Sequence, residues 1–127
     1  MAVTYNLKSL KVQILKECDN GLAALKFVQT KDTKLDFILL DLDMPIMNGY
    51  QACELIITCY NDKKKNSKHH NIVNDLLMQP LMIAYSGFVD ENVSKRATDA
   101  GFLMVIEAPI TIAKIEKLIL SEVKMRK

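Results

Sequence analysis

Asp41 is the residue whose type and position best fit a chemical role. It closes the apolar run at residues 37–40, and Asp43 follows two positions later. A carboxylate at the end of a strand can attack phosphorus as a nucleophile and form an acyl phosphate. That reaction needs a cation to offset phosphoryl charge, carboxylates to hold the cation, and donors for the phosphoryl oxygens. Ser86, which closes the apolar run at residues 81–85, is a candidate donor.

Segments that predict strands and helices alternate around these residues. Short apolar runs bounded by turn residues predict strands buried on both faces, at 12–15, 37–40, 81–85 and 103–106. Apolar residues at helical spacing predict helices within 22–28, 50–60, 93–100 and 112–123, and Gly101 is placed to end the third. The alternation predicts a doubly wound parallel α/β sheet, in which ligands meet the carboxyl ends of the strands. Asp41, Ser86 and Ala108 all fall at such ends.

Composition bounds the class of protein. The chain has 127 residues, which predicts a single domain spanning 1–127. The net charge of +2 is too small to argue for nucleic acid or a membrane surface as a partner. Three cysteines without C-x-x-C spacing predict reduced thiols. Because the sequence has neither a signal peptide nor an apolar stretch of membrane-spanning length, the expected location is the cytoplasm.

One segment departs from the α/β pattern. Residues 61–79 are rich in lysine and asparagine and include the run Lys63-Lys64-Lys65. Such composition predicts an inserted, exposed loop, and loops of this length are uncommon inside compact domains.

The segment 36–49, Asp-Phe-Ile-Leu-Leu-Asp-Leu-Asp-Met-Pro-Ile-Met-Asn-Gly, resembles the signature of response-regulator receiver (CheY-like) domains. In that family an apolar strand ends in the phosphorylated Asp, followed by x-x-Met-Pro-x-Met-Asp/Asn-Gly and a helix. Further matches follow in the family's order and extend the resemblance over about residues 5–125; they lie at 19–25, 83–87, 99–102 and 107–110.

The resemblance implies a fold, a site and partners. The fold would be flavodoxin-like, with strand order 2-1-3-4-5. Asp41 would accept a phosphoryl group from a histidine kinase or phosphotransfer protein, and Ser86 would hydrogen-bond that group and act in the switch. Mg²⁺ would be the cofactor, with Asp41 and Asp43 as candidate ligands. The domain would be a phosphoacceptor in a phosphorelay rather than an enzyme.

Several of the family's partner residues have no counterpart. Receivers begin with a strand that ends in a metal-binding acidic pair, whereas residues 3–10 resemble the end of the first helix. The first strand is therefore predicted to be missing, as in an N-terminally truncated receiver, and Mg²⁺ binding is expected to be weak or absent. Ala108 stands where the family has a phosphoryl-binding Lys, and Val105 where it has an aromatic switch residue.

A missing first strand would leave a gap in the middle of the sheet, between the strands at 12–15 and 37–40. Unpaired backbone groups there cost about 1–3 kcal/mol each, against a total stability of about 5–15 kcal/mol. Three repairs are open: direct pairing of the two neighbours, a strand supplied from elsewhere, or association through the exposed edge. The expectation is a marginally stable chain that forms oligomers or is insoluble.

Two alternative functions remain. The absent partners favour a pseudo-receiver that takes no phosphate and works as a protein-interaction module. The run ending in Asp41-Leu42-Asp43 also fits the Asp-x-Asp of haloacid-dehalogenase-type phosphatases, in which the two carboxylates would be nucleophile and acid/base. Pro45 stands where those enzymes have Thr, which favours the receiver.

Overall fold

The computed structural model describes residues 2–8, 11–30, 34–66, 79–111, 113–118 and 121, with only the backbone for 2–8, 11–15 and 64–66. The strands are β1 (Ala2–Lys8), β2 (Lys11–Cys18), β3 (Phe37–Asp41), β4 (Leu81–Ser86) and β5 (Met104–Glu107). The helices are α1 (Gly21–Thr30), α2 (Gly49–Asn66) and α3 (Glu91–Ala100), followed by α4 (residues 113–118).

The strands form one sheet in the order β2-β1-β3-β4-β5, which confirms the predicted order 2-1-3-4-5. Strands β3, β4 and β5 run parallel. Strand β1 runs antiparallel to both of its neighbours, so β2 points in the same direction as β3. The prediction of a parallel sheet is therefore wrong for β1, which is antiparallel to its neighbours.

Residues 2–8 occupy the middle of the sheet, and the prediction of a helix end at 3–10 is wrong. Residues 2–5 pair with residues 37–40 of β3, and β1 pairs with β2 along its whole length. Val3, Thr4 and Tyr5 are residue types that favour strands, and an antiparallel neighbour can follow directly in sequence without a helical crossover. The predicted gap is thus filled by the chain itself, and association through an open sheet centre loses its physical basis.

Helices α1, α2 and α3 pack on one face of the sheet. The main cluster joins Ile38, Leu40 and Met82 of the strands to helical residues such as Val28 and Ile56. A second cluster on the opposite face joins Phe37, Leu39, Leu81, Ile83 and Ile106 to Ile115 of α4. Alternate strand residues face opposite sides, so the apolar runs supply both cores. Three residues of the predicted apolar face of the last helix lie outside the described part: Ile112, Ile119 and Val123.

Helix α2 continues through Asn66, so the predicted loop at 61–79 begins later than expected. The Lys63 ammonium donates to the carbonyl oxygen of Val28 at 2.6 Å and lies 5.8 Å from the centre of the Tyr60 ring. The last carbonyls of a helix have no partner within it, and a cation is favourable there. Lys63 therefore ties α2 to the end of α1. Residues 67–78 lie outside the described part.

The helices carry clear start and stop signals, with starts at the carboxyl edge of the sheet and the end of α3 at the opposite edge. The Asn20 side chain accepts a hydrogen bond from the amide of Ala23 at 2.9 Å, and Asp90 accepts from Val93 at 2.8 Å. Gly101, with a φ of 111°, ends α3 as predicted. The Asn20 and Asp90 caps fix the positions of the loops that follow β2 and β4.

The cysteines are free, and Cys53 is buried in the main cluster. Burial raises the pKa of the Cys53 thiol to about 12, so the group stays protonated and packs as a small apolar side chain. In the described part of the chain, no helix combines the length and apolar character needed to cross a membrane.

A proline at Val3 tests the central position of β1. Val3 pairs with Glu17 of β2 and with Leu39 of β3. Proline removes a backbone donor and cannot fit the middle of a sheet, so Val3→Pro should lower the free energy of unfolding by about 1–3 kcal/mol in urea titrations. The control is Lys11→Pro, at the first residue of the edge strand β2. Equal losses for the two variants would show that β1 is not central.

Gly49 allows α2 to approach the end of β3, and an alanine there tests this contact. A Cβ atom at Gly49 would lie 2.5 Å from the carbonyl oxygen of Asp41 and 2.9 Å from the Cα of Leu42. Since both are backbone atoms, Gly49→Ala should destabilise the fold by about 1–3 kcal/mol, although alanine favours helix. Gly87→Ala is the control, because nothing lies within 4 Å of its Cβ position. A neutral Gly49→Ala in the same urea titrations would contradict the packing.

Candidate functional site

The parallel strands β3 and β4 bring Asp41 and Ser86 to the same edge of the sheet, as predicted. Asp41 is the last residue of β3 and pairs with Tyr85, the neighbour of Ser86. Asp41 is half-buried and Ser86 is buried. Each is the last residue of its strand, so both lie at the carboxyl edge of the sheet, the edge at which open α/β folds bind ligands.

A tight turn after β3 holds Asp43 against Asp41. The amide of Asp43 donates to Oδ1 of Asp41 at 2.9 Å. On the backbone, the amide of Leu42 donates to the Tyr85 carbonyl at 3.0 Å, and the amide of Gly49 donates to the Leu42 carbonyl at 3.3 Å. The turn is thereby fixed both to β4 and to the start of α2, so the orientation of Asp43 follows from the backbone.

Asp43 also reaches the second strand end. The Ser86 hydroxyl donates to Oδ2 of Asp43 at 3.2 Å and accepts from the amide of Phe88 at 3.4 Å. Asp43 therefore bridges Asp41 and Ser86 through its backbone and its side chain. Sequence reasoning placed all these residues at one edge but missed this bond. The Asp-x-Asp spacing beside a neighbouring strand end was the available signal.

Position 108 adjoins the site. The amide of Ala108 donates to the Ser86 carbonyl at 2.8 Å, so this residue lies directly beside Ser86. In the receiver family a lysine stands at this position, and its ammonium group would lie beside the phosphoryl group. The alanine of this chain brings no charge. Val105, at the aromatic position, is half-buried in β5 and packs against the main cluster. The structure thus has neither the cation nor the ring at these two positions.

The metal site implied by the resemblance does not fit the described residues. Because β1 is reversed, its amino end lies beside the end of β3, with Ala2 paired to Leu40. A forward strand would instead bring its carboxyl end and its acidic pair to this point. Within the described ranges, no group of three or more His, Cys, Asp or Glu side chains could hold a metal ion. Asp41 and Asp43 are neighbours, but no third carboxylate among the described residues completes a metal site with them.

Two exposed apolar side chains follow the strand ends that carry Asp41 and Ser86. Ile46 is 78% exposed and has a φ of 68°, and Phe88 is 66% exposed. A β-branched residue in the left-handed region costs roughly 1–3 kcal/mol, and such strain concentrates at functional sites.

Neither a protein-family model nor a curated protein matches the chain. Solved receiver domains do. The receiver domain of the response regulator NarL from Mycobacterium tuberculosis is 21% identical, with a TM-score of 0.65, and the match covers 88% of this chain and 75% of that chain. The receiver domain of the histidine kinase CKI1 from Arabidopsis thaliana, solved with Mg²⁺ and BeF₃⁻, is 19% identical with a TM-score of 0.61, covering 87% and 71%.

A third match is the receiver domain of the sensor histidine kinase PA1611 from Pseudomonas aeruginosa, solved with a magnesium ion in its active-site cleft. It is 17% identical, with a TM-score of 0.58, and the match covers 84% of this chain and 74% of that chain. The matched architecture agrees with the strand order and the helices on both faces of the sheet. The chain therefore has the α/β fold of response-regulator receiver domains, with the central strand β1 reversed.

Proposed function

We propose that this chain is a phosphorelay receiver in which Asp41 accepts a phosphoryl group from a histidine kinase or a phosphotransfer protein. The observation that carries the proposal is the position of Asp41 and Ser86 at adjacent parallel strand ends, joined through Asp43, in a receiver fold. On this proposal the chain is a phosphoacceptor and not an enzyme.

The transfer step needs a nucleophile and a donor. A carboxylate oxygen of Asp41 attacks the phosphorus of a phosphohistidine, the P–N bond breaks, and its electron pair returns to the imidazole nitrogen, which takes up a proton. An acyl phosphate forms on Asp41. The Ser86 hydroxyl is placed to donate a hydrogen bond to a phosphoryl oxygen. The altered metal site and Ala108 predict slow transfer and weak magnesium binding.

The surface beside the site supports a protein as the phosphoryl donor. Exposed Ile46 and Leu55 line a groove of about 330 Å³ together with Met47, Gln51 and Glu54, and Phe88 is exposed after β4. A partner that buries these side chains would gain about 25 cal/mol for each Å² of apolar surface removed from water. This surface is consistent with docking next to Asp41.

A pseudo-receiver is the second candidate, and specific contacts favour it. Ala108 leaves phosphoryl charge unbalanced at this position, and the Ser86 hydroxyl already has an acceptor in Asp43. In that case the domain would bind partners without taking phosphate, through the same groove.

Labelling with acetyl phosphate decides between these candidates. We expect excess Mg²⁺ and ³²P-acetyl phosphate to label the wild-type chain slowly, and Asp41→Asn to remove the label because it removes the nucleophile. Asp62→Asn, an exposed position on α2, is the matched control and should label like the wild type. Label that survives Asp41→Asn would reject Asp41 as the acceptor, and an unlabelled wild type would favour the pseudo-receiver.

Restoring a cation at position 108 should increase labelling. Ala108 adjoins Ser86, so the side chain of Ala108→Lys can reach the phosphoryl group and offset its charge. We expect the initial rate of Asp41 labelling to rise on the order of tenfold, equivalent to about 1.4 kcal/mol. Ala113→Lys, at an exposed position of α4, adds the same charge elsewhere. An equal rise in both variants would indicate a general charge effect and no role for position 108.

A further inference from the structure

Asp43 stands between the two residues that a phosphoryl group on Asp41 would have to contact. Its amide donates to Asp41, and its carboxylate accepts the hydroxyl of Ser86 at 3.2 Å. The side chain of Asp43 is exposed, whereas Ser86 is buried and the bond between them is partly buried. The carboxylate of Asp43 therefore lies beside the position that a phosphoryl group on Asp41 would occupy.

The Ser86 hydroxyl has one proton to donate, which sets up a competition. A serine hydroxyl is a single donor with lone pairs that accept. In this structure the proton goes to Asp43, and the amide of Phe88 donates to the oxygen. A phosphoryl oxygen on Asp41 can accept a hydrogen bond from the Ser86 hydroxyl only after the hydrogen bond from Ser86 to Asp43 has broken.

The negative charge of Asp43 opposes binding of a phosphoryl group, as its hydrogen bond with Ser86 does. A phosphoryl group carries more than one negative charge near neutral pH, and like charges within a few ångströms repel strongly at a partly buried site. With Ala at position 108, no lysine at that position offsets the repulsion. Asp43 thus opposes phosphoryl capture both by holding Ser86 and by its charge.

We propose that Asp43 restrains phosphorylation of Asp41. Its carboxylate accepts the hydrogen bond of the Ser86 hydroxyl, and this bond must break before Ser86 can bind a phosphoryl group on Asp41. The inference rests on the proposed function and adds a determinant that the receiver resemblance does not supply. It also gives the carboxylate of Asp43 a role different from that of a metal ligand, because Ser86 already engages Oδ2.

Substitution of Asp43 tests the restraint. Asp43→Ala removes both the charge and the acceptor, and we expect the initial rate of Asp41 labelling by acetyl phosphate with Mg²⁺ to rise on the order of tenfold. Asp43→Asn removes the charge but keeps an acceptor oxygen, so its gain should be smaller. Asp62→Ala is the control for the loss of an exposed aspartate. Each variant is also made with Ala108→Lys, which raises the baseline rate.

A metal-free measurement checks the contact itself. The amide of Phe88 bonds to the Ser86 oxygen, so its NMR chemical shift reports the state of that hydroxyl. It should move in Asp43→Ala and stay in place in Asp62→Ala, without any phosphoryl donor or cation in the sample.

The outcomes separate the inference from the proposed function. If Asp41 is labelled in the wild type but Asp43→Ala labels equally or more slowly, the receiver role stands and the restraint is rejected. Slower labelling would identify Asp43 as a supporting ligand. An unmoved Phe88 amide also rejects the restraint. If no variant is labelled, including Asp43→Ala with Ala108→Lys, both proposals are rejected.

Discussion

The backbone of the central strand must hydrogen-bond on both sides, and the rest of this structure depends on how that requirement is met. Strand β1 pairs with β2 along one edge and with β3 along the other. Buried amides and carbonyls without partners would cost about 1–3 kcal/mol each, which a small domain cannot absorb many times. A hairpin with β2 meets the requirement on one side with local sequence alone, and β3 meets it on the other side along residues 2–5. The parallel part of the sheet, and with it the site, is then held in the receiver arrangement.

Strand direction separates the fold from its chemistry. Antiparallel and parallel ladders both satisfy the backbone, so a reversed β1 can keep the strand order of the receiver fold. The side chains at the strand end do depend on direction. Only a strand parallel to β3 has its carboxyl end at the edge where Asp41 lies. The reversed strand brings the Ala2 end there. The described sheet has no gap between β2 and β3, while its central strand does not end in the acidic pair implied by the resemblance at this edge.

Most elements were predictable because each carries a local signal. The apolar runs of β2 to β5 and the helical spacing of α1 to α3 were confirmed, and parallel strands necessarily placed Asp41 beside Ser86. The prediction for residues 3–10 was wrong because the family alignment placed the end of a helix there, although Val3, Thr4 and Tyr5 favour a strand. Helix α2 continues past its expected end, and its Lys63 has a partner on α1, a contact between elements that composition cannot show.

The bond between Asp43 and Ser86 belongs to the same class of tertiary contact, and it changes how the site is understood. Two carboxylates two residues apart suggest a cation between them. The turn instead directs the backbone of Asp43 to Asp41 and its carboxylate to Ser86, so the second carboxylate is satisfied by a neutral hydroxyl. A hydrogen bond to a charged acceptor is worth about 1.5–3 kcal/mol, less where solvent competes, and a phosphoryl group must replace it to engage Ser86. The reactivity of Asp41 in this fold therefore depends on whether the Ser86 hydroxyl donates its hydrogen bond to the Asp43 carboxylate or to a phosphoryl group.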